Sequence, residues 1–240
     1  MPEHCDRQTG GGIMSRLANL GLIFASPSNV GRNVMEDPHW IIPLVVVLAV
    51  AFISTVTTYE YQVEFQREYM AEIIRERNPD ADIDSMFEMT TRRQVLSGVG
   101  GAVFSGIMIL IIAAVLKGVA SVAGGQVGFR RLFSFVSYSS VISALGSLIK
   151  VPLVQAKGSI DVRTSLAALA PSLDLRSPLA VVLGSFDIFI IWQVVALCFG
   201  FSVLSGFDIK KSSGIVVGLW AILMLIRIGL SSLSGLAGGS

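Results

Sequence analysis

Histidine and cysteine are almost missing from this chain: His4, His39, Cys5 and Cys198 are all that its 240 residues provide. No His-Glu-x-x-His occurs and neither histidine lies within a long apolar run, so an intramembrane zinc or Ser/His protease lacks its ligands or base, and the two cysteines make no disulfide framework. Charge is also scarce. Only 15% of residues are charged and the net charge is +1, so no broad basic surface recruits nucleic acid. No Gly-x-x-x-x-Gly-Lys-Ser/Thr loop is present for a nucleotide phosphate. Gly98, Gly100 and Gly101 approach a dinucleotide fingerprint, but Val103 takes the place of its last glycine. Asp80, Asp82 and Asp84 open like a calcium loop, yet the sixth position is Ser85 and the twelfth is Thr91. No enzyme activity, cofactor or metal is expected.

What fills the chain is apolar: 52% of residues are hydrophobic and the mean hydropathy is +0.70. A bilayer core about 30 Å thick needs roughly 20 apolar residues of helix, because a backbone in lipid must satisfy its own hydrogen bonds. Five stretches fit: about 39–59, 94–116, 132–149, 178–205 and 212–233. The expected fold is an all-α membrane protein with five transmembrane helices. An amino-terminal interfacial helix region precedes them, and a helical hairpin protrudes between spans one and two. No apolar core lies in the first dozen residues, so span one is expected to stay uncleaved.

Flanking charges orient the spans. A cytoplasmic amino terminus puts two short basic loops inside, with Lys117, Arg130 and Arg131 in one and Lys210 and Lys211 in the other. The first loop, with nine acids against five bases, then faces out. Arg92, Arg93, Lys157, Arg163 and Arg176 run against that orientation.

Outside the spans, residues 1–12 read as a polar disordered tail and 234–240 as a short carboxy-terminal one. Residues 13–38 read as amphipathic interfacial helices. Ile13, Leu17, Leu20 and Phe24 recur at helical spacing, and Ser26-Pro27 suits an N-cap with a first-turn proline. In the hairpin 60–93, the stripe Tyr61, Phe65, Tyr69 and Ile73 predicts that the helix of span one continues without a stop. Beside it runs a stripe of glutamates, Glu60, Glu64, Glu68, Glu72 and Glu76, only partly offset by Arg67 and Arg75. Asn78-Pro79 marks its end, and Ser85-x-x-Glu88 reads as a capping box opening the next helix.

Within the spans, Ser97, Gly101 and Ser105 lie four apart, as do Ala102 and Gly106, which makes a face where another helix can approach closely. Span three carries Ser137, Ser140, Ala144 and Ser147 on one side. Such a row could line a pathway, though a serine can also bond back to its own helix. Asp187 and Arg227 are the ionisable groups inside spans four and five. Counting from the inner loop, Asp187 stands about 27 Å and Arg227 about 24 Å up their helices. Matching heights on neighbouring helices predict an ion pair between them.

The segment FDIFIIWQVVALCFGF resembles the signature of the Ypt-interacting-protein (Yip) domain family, with Asp187, Phe189, Trp192 and Gly200 on its positions. Phe24, Ser26, Pro27, Pro38 and Trp40 resemble the family's opening, where Gly31 replaces a common aromatic. The resemblance implies five spans and a cytoplasmic amino terminus. Eukaryotic relatives associate with small Rab-type GTPases in vesicle traffic; the short tail and acidic hairpin look more like the prokaryotic branch, hence a bacterial plasma membrane. The expected function is a non-enzymatic membrane protein that organises lipid or protein partners through the amino-terminal helices or the acidic hairpin. The alternative is a small transporter or lipid-handling protein using polar groups around Asp187.

Overall fold

The computed structural model describes residues 12–78, 80–170, 172–173 and 177–238, so the tail before Gly12, Pro79, Arg176 and the last two residues lie outside them. The side chains of Tyr69, Glu72, Glu76, Arg77 and residues 230–238 also lie outside the description. Ten α-helices are described: α1 (Ile13–Ala25), α2 (Pro27–Glu36), α3 (Ile41–Thr57), α4 (Tyr59–Arg77), α5 (Ile83–Met86), α6 (Thr91–Val122), α7 (Phe129–Lys157), α8 (Pro178–Ser185), α9 (Ile188–Ser205) and α10 (Ile209–Gly238). Among the described residues four helices, α6, α7, α9 and α10, are long and apolar enough to cross a bilayer alone. A fifth span arises if α3 is taken with the first half of α4, across a bend of 58°.

That bend corrects the expectation of an uninterrupted helix. At Thr58 the backbone leaves helical geometry, and its hydroxyl donates to the Ser54 carbonyl. The Gln94 amide reaches from α6 to the Val56 carbonyl at 2.9 Å, satisfying an acceptor that the break releases. The expected capping box is corrected too. Asp82, not Ser85, caps the single turn α5 by accepting from the Ser85 amide, and Thr90 caps α6 by accepting from the Arg93 amide. Glu88 lies in the loop between them, where its carbonyl accepts from Arg93. The hairpin is therefore one long helix with α5 folded back on it, held by an ion pair between Arg67 and Asp84.

α7 is the central helix. In its apolar window 67% of residues are buried, against 17% for α6 and 11% for α10, so α6 and α10 present most of their surface outward. A helix enclosed on several sides needs small residues, which explains its serines. Ser137, Ser139, Ser140, Ser143 and Ser147 each donate to a carbonyl three or four residues earlier on α7, leaving few polar demands for neighbours to meet.

Glycine contacts set the helix spacing. A Cβ added at Gly146 would meet the Phe189 ring at 2.6 Å, and one added at Gly200 would overlap the Phe135 ring. Phe135 and Gly146 lie eleven residues apart on α7, as do Phe189 and Gly200 on α9. The antiparallel helices thus exchange an aromatic ring for a glycine twice, about three turns apart. Gln193 bridges to the Ser140 hydroxyl at 3.3 Å midway. On α6, Gly98, Gly101 and Gly106 lie against Phe52, Thr55 and Leu48 of α3. The small-residue face with Ser97 and Ala102 therefore borders α3, while Ser105 bonds back to the Gly101 carbonyl.

The amino-terminal helices close one end of this bundle. α2 lies on α9, where Gly31 approaches Gly200 Cα and Val203. α1 is tied down by Arg16 to Asp37 at 2.8 Å, by Asn33 donating to Asn19, and by the Tyr138 hydroxyl donating to the Arg16 carbonyl. Trp40 packs edge-on to Phe133 at 5.5 Å. The opposite end carries the hairpin, the end of α7 and the break between α8 and α9.

Candidate functional site: the break at Asp187

The expected continuous span 178–205 is two helices. α8 ends at Ser185 and α9 starts at Ile188, with Asp187 as the N-cap between them. The cause is local chemistry: the Asp187 carboxylate accepts from the Phe189 amide at 2.9 Å, replacing a carbonyl that a continuous helix would have offered. Asp187 also forms an isolated antiparallel bridge with Ser165. The loop after α7 is thus laid across the break.

Asp187 is 1% exposed. Its Oδ2 accepts from the Thr164 hydroxyl and lies 2.9 Å from Lys150 Nζ. With the Phe189 amide on Oδ1, three donors surround one buried charge, and the positive end of the α9 dipole adds to them. The cation is Lys150, which corrects the predicted pair with Arg227. The depth count placed Arg227 near the right height, but α7 runs past the predicted end at Ile149 and carries Lys150 to the carboxylate. Arg227 has no ion pair among the described residues.

The loop crossing the break has its own staple. Arg163, with a side chain 8% exposed, bonds Asp161 at 2.6 Å and the carbonyls of Ala167, Ala170 and Leu173. Burial pushes the Asp161 carboxyl up, but the Arg163 hydrogen bond and charge, helped by Lys157, outweigh it and hold the group below the usual carboxylate range. A 3₁₀ turn at Leu166–Leu169 and the cap at Ser165 complete the strap.

Two cavities meet here. One of about 480 Å³ is lined by Lys150, Thr164, Gly184, Asp187 and Arg227 among others. The second, about 320 Å³, lies deeper between α3, α6, α7, α9 and α10; Ser140, Ser143, Ser147 and Gln193 stand among apolar side chains such as Val47, Phe104 and Leu223. Ser185 and Arg227 border both. No cluster of three or more His, Cys, Asp or Glu side chains suited to a metal occurs among the described residues.

Of the motif positions, Gly200 and Phe189 make the ring contacts of the α7/α9 seam, whereas Trp192 is 41% exposed on its outer side. Pro27 opens α2 and is buried, while Ser26 precedes it without a side-chain capping bond. Phe24 packs at the edge of the core, and Pro38 is half-buried in the linker to α3. Lys150, Thr164, Phe135 and Gly146 were not singled out in the sequence, although an Asp following an apolar turn is itself an N-cap signal.

Several apolar helices of membrane-crossing length, packed through glycines and small polar residues, define an all-α integral membrane protein of the multi-span class. The Yip1 domain matches residues 20–230, and the chain belongs to that family. It is similar to a protein described as membrane protein YknW, from Bacillus subtilis (strain 168), with 25% identity over 230 residues, 95% of this chain and 96% of that one. No solved structure is a significant match.

Proposed function

We propose that this chain is a non-enzymatic organiser of membrane or protein partners in a bacterial plasma membrane, with its amino terminus in the cytoplasm. The observation that carries this reading is the mounting of α1. It is fixed to the bundle through Asn19, Ile23 and the Arg16 to Asp37 pair. At the same time it holds out Ile13, Met14, Leu17 and Leu22. An apolar stripe on a rigidly held helix suits the headgroup boundary or a partner seated there. The charge placed on short loops supports the orientation. Association with a small GTPase is argued only by analogy with eukaryotic relatives.

Crosslinking followed by mass spectrometry in native membranes tests the reading. A recurrent protein neighbour linked through α1 or the acidic hairpin is expected; no specific neighbour, with labelled residues of α1 buried in the bundle, would contradict it. For topology, the native cysteines are replaced and single ones introduced. A cysteine near Asp82 should label from outside, and one near Arg130 should not.

A second reading, a lipid-handling or small transport protein, is favoured by the cavities that meet at Arg227. Asp187 supports it only as a structural wall, since its carboxylate is already occupied by three donors.

A further inference from the structure

We infer that the pair of cavities meeting at Arg227 is a binding site for one anionic phospholipid, with its phosphate on Arg227 and an acyl chain along the apolar wall of the deeper cavity. The inference asks only for binding, so it stands apart from the organising role and from any transport.

Three observations combine. The first is charge. Lys150 is matched by Asp187 and Arg163 by Asp161, so Arg227 is the cation on the cavity wall without an ion-pair partner among the described residues. The second is depth. Arg227 stands 16 residues beyond Lys211, the last charge of the inner loop, about 24 Å along the helix. In a hydrocarbon core about 30 Å thick that leaves about one helical turn to the far boundary, a distance its long side chain spans to reach the phosphates. The third is shape. The cavity of about 480 Å³ offers Arg227, Thr164 and Ser165 at that boundary. The cavity of about 320 Å³ continues inward from the same Arg227 along Val47, Ile109 and Leu223. Charged groups gather only in the first room, while the second continues along a mostly apolar wall, which is an outline that a headgroup and a chain can share.

Guanidinium suits this task because its planar fork grips two phosphate oxygens while being less strongly hydrated than an ammonium. The alternative source of the same chemistry is free phosphate, which would use Arg227 and leave the inner cavity empty.

The test uses the full chain purified in a mild nonionic detergent. Thermal unfolding is followed with phosphatidylglycerol, phosphatidylcholine or inorganic phosphate added, and retained lipid is counted by native mass spectrometry. Phosphatidylglycerol should bind and raise the melting temperature; phosphatidylcholine, whose own ammonium neutralises the phosphate, should bind more weakly, and inorganic phosphate should give no shift. Arg227→Gln should weaken retention of phosphatidylglycerol about tenfold or more, the loss expected for one charged hydrogen-bonding group. Its melting temperature without lipid should match the parent's. Lys210→Gln, at the opposite end of α10, should retain lipid like the parent. Equal retention of both lipids, an equal shift from inorganic phosphate, or undiminished retention in Arg227→Gln would each overturn the inference.

Discussion

The α7/α9 seam makes the same contact at both ends, yet the two ends lie in different surroundings. Near the amino-terminal helices, Phe135 covers Gly200 and α2 closes over the same glycine through Gly31. Three turns away Phe189 covers Gly146, but there Asp187, Lys150 and Thr164 stand beside the ring, and two cavities open. Since ring-on-glycine packing suffices at one end without any charge, the charges at the other are not needed to hold α7 to α9. Their work is to end α8, start α9 and bind the strap across the break. One end is a closed joint; the other is a braced opening.

The largest effect should come from removing the brace. Asp187→Ala deletes the cap of α9 and leaves the Lys150 ammonium without its counter-ion. Losing one member of a buried pair costs about 3 to 5 kcal/mol and losing a cap about 1. Lys150 is 37% exposed, so solvent recovers part of the charge term and about 3 kcal/mol in total is expected. Equilibrium unfolding in mixed micelles, read by tryptophan fluorescence, gives the number, and a loss below about 1 kcal/mol would mean that the brace carries little.

Next comes the closed joint. Gly200→Ala sets a methyl into the Phe135 ring and should cost about 2 kcal/mol by overpacking. Adding Phe135→Leu should return part of that loss, because the obstacle shrinks. If the double variant is no better than the single one, the ring is not what the glycine accommodates. The smallest effect is expected at the outer layer. At Gly31 an added Cβ would lie 3.3 Å from Val203 Cβ, so Gly31→Ala should cost under about 1 kcal/mol. It should show mainly as faster amide exchange in α2, with the seam beneath unchanged.

The contrast also explains what could be read from the sequence. Hydropathy located the apolar stretches, because a membrane helix announces itself by composition over about 20 residues. Helical spacing located α1, and Ser26-Pro27 located the start of α2. The break at Asp187 escaped because a hydropathy window averages across a single acid, while the capping that ends α8 depends on that one side chain. Lys150 escaped for a related reason. Only a charge inside an apolar window marks itself as intramembrane, and Lys150 lies one residue past the predicted end of span three. The ring-and-glycine seam is hidden by its period of eleven residues, since close helix packing announces itself in sequence by small residues four apart. Motif residues Phe189 and Gly200 were legible as positions, but their partners Gly146 and Phe135 required the two helices to be seen together.

The most direct test of the account is a pair of double-mutant cycles on unfolding free energy, Asp187→Asn with Lys150→Met and Asp187→Asn with Arg227→Gln. The account predicts a coupling of about 1 to 2 kcal/mol between Asp187 and Lys150, and additivity within about 0.5 kcal/mol between Asp187 and Arg227. Coupling to Arg227 with none to Lys150 would contradict it, returning the guanidinium to the carboxylate and leaving no free cation on the cavity wall.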